Sequence, residues 1–225
     1  HNPTGSLKDR MALAVVDGAV AAGKLSPEGR LVEYSGGNTG TALAFVCAAR
    51  GIPAMVVSSD AFSRDKLDHM RALGAEVVEI KSDGKRITRE LIQAMIARAE
   101  DLAGAPGAFY ADQFRNLDAR SGYRVAADEI VGQVGGQIDV FIHSVGTGQS
   151  LAGVGGRLRE HFPEIRVVAV EPAESPVLAG GTPGAHRIEG VGPGFIPPLW
   201  KPSHADGFAA VSTDDAKAMC RRLAT

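Results

Sequence analysis

Apolar residues recur along the chain in two alternating rhythms. Short runs rich in Val, Ile and Leu, bounded by turn residues, read as strands over residues 31–34, 54–58, 75–80, 138–143 and 165–171. Between them, apolar positions at three- and four-residue spacing, with polar outer faces, predict helices over residues 40–50, 63–73, 87–102, 151–161 and 213–223. Strands that alternate with helices predict an α/β fold in which largely parallel sheets are covered by helices. The rhythm lapses around Asp112 to Asn116, which sets an expected first domain over residues 1–115 and a second over 116–225. Residues 180–198 form a long Gly/Pro-rich stretch, and long irregular loops inside compact domains are often functional.

Composition narrows the classes of function. At 225 residues and 44% hydrophobic, the chain can bury a sizeable core. Its 24 basic and 26 acidic residues leave a formal charge of -2, and neither sign gathers into a run that would mark a nucleic-acid or membrane footprint. No apolar stretch approaches the length of a bilayer span. The ligand expected is therefore a small molecule, with neither nucleic acid nor membrane as partner. Cys47 and Cys220 lie far apart in helix-like patterns and read as buried free thiols, which suits a reducing compartment and a cytoplasmic location. The six histidines show no metal-ligand spacing, so no catalytic metal is expected. The chain starts at His1 without an initiator methionine and stops at Thr225 within a helical pattern, so both ends read as cut.

Four segments carry candidate chemistry. In HNPTGSLKDR, Ser6 is placed to cap a helix and Asp9 to complete a capping box, which sets Lys8 in the first helical turn. A lysine there opposes the helix dipole, so it is either solvated or beside an anion; burial would free its amine for Schiff-base chemistry. SGGNTG, from Ser35 to Gly40, lies between a strand and a helix, where backbone amides can meet a carboxylate; an ordinary turn capped by Asn38 is the plainer alternative. GTGQS, from Gly146 to Ser150, again follows a strand and opens a helix, and its glycines with the Thr147 and Ser150 hydroxyls suit a phosphate. A dinucleotide reading competes there, with Glu171 as the ribose acid, but Leu151 stands where that fingerprint requires a small residue. In IEGVGPGFIP, glycines at alternate positions turn backbone toward a neighbour.

In this order the four segments, with VEPAESPVLAGG between the last two, resemble the cysteine synthase and cystathionine β-synthase group of fold type II pyridoxal-phosphate enzymes, most closely cysteine synthase. The resemblance spans nearly the whole chain. It implies two domains of the tryptophan synthase β-like fold and pyridoxal 5'-phosphate carried on Lys8 as a Schiff base, with the same lysine as catalytic base. It also implies that Asn38 meets the cofactor ring, that Gly146, Thr147, Gly148, Gln149 and Ser150 hold its phosphate, and that Gly190 borders the ring. The substrate carboxylate would sit on the amides of Ser35, Gly36, Gly37, Asn38 and Thr39, with Thr39 and Gln113 adding side-chain donors. The implied reaction replaces the β-substituent of an activated serine such as O-acetylserine with sulfide or a thiol. Cystathionine synthesis, serine or threonine dehydration, and a non-catalytic relative that binds cofactor or peptide remain alternatives. The resemblance further implies a homodimer and an active site able to take a partner's C-terminal peptide. Two positions depart from the family pattern: Gly36 stands for a serine, and Gln149 for a glycine, with the Gln149 side chain expected to point outward.

Overall fold

The computed structural model describes residues 1–224. They form two compact units, His1–Tyr123 and the described residues from Arg124 onward.

The first unit is built on four parallel strands, β1 (Arg30–Tyr34), β2 (Ala54–Ser59), β3 (Glu76–Ile80) and β4 (Ala108–Tyr110), in the order β3-β2-β1-β4. β1 and β2 are buried almost throughout because they are flanked on both sides and covered on both faces, which explains their unbroken apolar runs. Helices α1 (Lys8–Ala21), α2 (Asn38–Arg50), α3 (Arg64–Ala72) and α4 (Arg89–Ala103) complete the layers, and α1 packs against α2. Met11, Val15, Leu31, Leu43, Leu67, Met70 and Met95 fill the core with almost no exposure. Strand order reverses direction between β1 and β4. The crevice beyond the carboxyl ends of those two strands is where an open parallel sheet binds ligands. SGGNTG leaves β1 and Gln113 follows β4 at that edge.

The division between units falls inside α5 (Asp118–Val134). The second unit holds three parallel strands, β5 (Val140–Ser144), β6 (Arg166–Pro172) and β7 (Gly207–Val211), in sequence order, with α6 (Gln149–His161) and α7 (Thr213–Leu223). Val145, Leu151, Val167 and Ala169 form its core, against which Phe141, Leu178 and Trp200 pack.

Two local expectations are corrected. Cys47 is buried, and its thiol is pushed up to about 12 by that burial. Cys220 is exposed, because it lies on the solvent side of α7. The Ser6–Asp9 capping box does not form: Leu7 occupies the N-cap of α1, and Asp9 reaches further back to Thr4. Among the described residues no helix is long and apolar enough to cross a membrane.

Candidate active site

Lys8 is the first residue of α1, and its approach is tightly folded. The Gly5 amide donates to the Asn2 carbonyl at 2.9 Å, and the buried Asp9 carboxylate accepts both the Thr4 amide, at 2.8 Å, and the Thr4 hydroxyl. The Ser6 hydroxyl accepts the Lys8 amide at 3.3 Å. This turn holds the lysine half-buried, and desolvation lowers the pKa of its amine below the usual lysine value. Such an amine spends more of its time neutral, the state that nucleophilic and basic chemistry require.

The loop after β1 is organised by one hydroxyl. Ser35 Oγ accepts the amides of Gly37, at 3.1 Å, and Gly40, at 2.9 Å, doing from three residues upstream what Asn38 was expected to do as N-cap. Gly37 is the N-cap and Asn38 the first helical residue. The Ser35 amide continues the sheet, donating to the Val57 carbonyl at 2.9 Å. Of the five amides from Ser35 to Thr39, those of Ser35 and Gly37 are thus engaged inside the protein. The amides of Gly36, Asn38 and Thr39 take part in none of these bonds, and Asn38 and Thr39 open α2, where first-turn amides have no partner within the helix and an anion is favoured.

Side chains beneath the loop lock it to the segment after β4. The Thr39 hydroxyl donates to Gln113 Oε1 at 2.9 Å, and Gln113 Nε2 donates to the Tyr34 carbonyl at 2.8 Å. Glu33, fully buried in β1, accepts the Tyr34 amide at 2.9 Å on one oxygen and the Gln113 amide at 3.0 Å on the other. Burial pushes the Glu33 carboxyl up to about 8 despite those two donors. The structure brings Ser35, Thr39 and Gln113 to one edge of the sheet and adds Glu33, which the sequence reading missed. Its one signal was a lone acid inside the apolar run LVEY.

Gly36 is explained by a neighbour. Its φ is not among the positive values, so the backbone itself does not demand glycine. A Cβ placed there would lie 2.1 Å from Cε1 of Phe62 and 2.2 Å from its Cδ1, a distance no side chain tolerates unless the ring moves.

In the second unit, Gly148 caps α6 with φ +79°, Thr147 Oγ1 accepts the Gln149 amide at 3.4 Å, and Ser150 Oγ meets His143 Nε2 at 2.8 Å. His143 is a second residue that the sequence reading passed over. Gln149, expected to point outward, is 1% exposed; it sits on the inner face of α6 and packs into the unit. A Cβ on Gly146 would lie 2.3 Å from the Gly190 carbonyl oxygen, so only glycine allows the two loops this approach. The Gly192 amide then donates to the Val145 carbonyl at 3.0 Å and fixes their pairing. Glu171 does not serve a ribose: it is 4% exposed, and its two oxygens accept the amides of Leu178, at 2.7 Å, and Ala179, at 2.9 Å.

The whole chain, residues 1–225, matches the family described as pyridoxal-phosphate dependent enzyme. A cysteine synthase of Staphylococcus aureus is 39% identical over 226 residues, covering 100% of this chain and 71% of that protein. The crystal structure of O-ureido-L-serine synthase superposes with a TM-score of 0.91 at 38% identity, covering 99% of this chain and 69% of that one. An O-acetylserine dependent cystathionine β-synthase from Helicobacter pylori gives a TM-score of 0.90 at 35% identity, covering 99% and 71%. With its fold, its desolvated lysine and its glycine loops in the order that the resemblance implied, the chain belongs to the pyridoxal-phosphate dependent enzymes of fold type II.

Proposed function

We propose that this protein catalyses β-replacement on an activated serine of the O-acetylserine type, with sulfide or a thiol as nucleophile. The observation that carries the reading is the loop at the β1–β4 crevice: three amides, of Gly36, Asn38 and Thr39, braced by Ser35 and by the Thr39–Gln113 bond. That is a seat for an α-carboxylate, in the same unit as the desolvated Lys8. The similarity to a cysteine synthase over the full chain supports it.

The residues fit pyridoxal phosphate on structural grounds. Lys8 offers an amine with a lowered pKa, and Gly146 and Gly190 bring two backbone segments close together just before the N-terminus of α6. When bound, the cofactor supplies an electron sink for charge developing at the substrate Cα. We assign Lys8 Nζ as its attachment point and as the base that takes the α-proton and returns it. To the glycine loop of the second unit we assign a phosphate, on the backbone of Gly146, Thr147, Gly148 and Gln149 with the Thr147 and Ser150 hydroxyls. Gln113 orients Thr39 and keeps the carboxylate seat in place. Excluding water from that seat strengthens each amide-to-carboxylate hydrogen bond. We read the enzyme as a cytoplasmic homodimer.

Reduction of the cofactor-loaded protein with borohydride, followed by peptide mapping, tests the assignment. A phosphopyridoxyl group on the peptide holding Lys8, together with sulfide-dependent cysteine formation from O-acetylserine, is expected. Label on another lysine, or consumption of O-acetylserine without thiol incorporation, would overturn it.

A further inference from the structure

Phe62 lies in the turn between β2 and α3, and that turn is built to hold it. The Ser59 carbonyl accepts the Phe62 amide at 3.2 Å, and Ser59 Oγ accepts the Ala61 amide at 3.2 Å. Asp60 Oδ1 accepts both the amide and the hydroxyl of Ser82, each at 2.8 Å, tying the turn to the end of β3. These bonds fix the backbone that carries the ring. The ring occupies the space over Gly36 so closely that the Cβ position there falls 2.1 to 2.5 Å from Cε1, Cδ1 and Cζ. Glycine at 36 and phenylalanine at 62 are therefore one exchange of volume, a side chain removed from the loop and a ring supplied from the facing turn.

The consequence reaches substrate choice. The Gly36 amide belongs to the carboxylate seat assigned above, and the β-carbon of an α-amino acid is only two bonds from its carboxylate carbon. The Phe62 ring then packs against the same residue whose amide the carboxylate would meet. An aromatic ring brings a face of negative charge density and no hydrogen-bond donor. A dianionic β-substituent beside it would lose hydration without a partner, whereas an uncharged ester loses little.

We propose that Phe62 is a specificity-determining residue of the amino-acid site, favouring uncharged β-substituents such as an ester over a phosphoester; this rests on the β-replacement reading. Four cofactor-loaded proteins test it: the unchanged enzyme, Gly36→Ser, Phe62→Ala and the double variant, with Phe62→Leu as a milder reduction in size should the alanine variant fold poorly. For each, the melting temperature, the affinity for O-acetylserine and O-phosphoserine by visible titration, and kcat/KM for both are measured. Gly36→Ser alone should lose about tenfold or more in amino-acid affinity and melt lower, and adding Phe62→Ala should recover most of both losses, because sites in contact are non-additive. Phe62→Ala or Phe62→Leu should also shift the preference between the two substrates toward O-phosphoserine by about tenfold. Additive effects of the two substitutions, or a preference unchanged within about twofold in folded variants, overturn the proposal. An enzyme that turns over neither substrate would sink the β-replacement reading instead, and the two binding affinities would still decide the role of Phe62.

Discussion

Replacing Glu33 by glutamine offers a stringent test of how the carboxylate seat is held. The protonated carboxyl can accept both amides that face it, those of Tyr34 and Gln113, whereas the glutamine NH2 can accept neither. One buried N–H is then left opposed, which costs about 1–3 kcal/mol. A second effect depends on pH. Burial raises the folded-state pKa of Glu33 from 4.5 to about 8. The unfolded chain therefore releases this proton first as pH rises, and the native state retains it. Stability from this group is fully present below pH 4.5 and is lost as pH rises through about 8, a swing on the order of 5 kcal/mol from linkage. Glutamine does not titrate, so its contribution is flat. Glu33→Gln should thus be less stable than the unchanged protein at pH 5, and the gap should close or invert by about pH 8. Urea midpoints followed by far-ultraviolet circular dichroism at several pH values measure this, and hydrogen exchange at the Tyr34 and Gln113 amides localises it. A gap that stays constant from pH 5 to 8 would show that Glu33 is not held protonated. Unchanged exchange at both amides would show that it does not brace the loop.

Three further outcomes are expected. Gln113→Ala frees the Thr39 hydroxyl and the Tyr34 carbonyl, so KM for the amino-acid substrate should rise by about tenfold or more with cofactor affinity unchanged; equal loss of both in a folded protein would refute a role confined to the substrate loop. Gly146→Ala drives a methyl against the Gly190 carbonyl and should cost about 1–3 kcal/mol of stability with a parallel loss of cofactor affinity, measured by urea unfolding and fluorescence titration; a neutral result would mean that the two loops are free to separate. Thr147→Ala with Ser150→Ala should weaken cofactor binding by about 1.5–3 kcal/mol per hydroxyl that meets the phosphate, while turnover at saturating cofactor changes less; unchanged affinity would leave the His143–Ser150 bond as the only work of Ser150.

Much of this protein was legible in its residue pattern. The parallel strands β1 and β2 announced themselves because burial on two faces requires unbroken apolar runs, and the helix α4 because burial on one face requires a helical spacing. Lys8, SGGNTG and GTGQS were likewise visible, since glycines and hydroxyls between a strand and a helix are local chemistry. What stayed hidden depends on partners distant along the chain. β4 has three residues and is a strand only because β1 is there to pair with, and β7 is recruited by β6 in the same way. α5 carries glycine and many polar residues in a weakly periodic stretch, so its apolar stripe did not stand out. Glu33 and Gln113, 80 positions apart, meet because strand order places β1 beside β4. The identity of residue 36 looked like a missing hydroxyl in the sequence; in the folded chain it is room for Phe62, and only the packing of one turn against another could decide that.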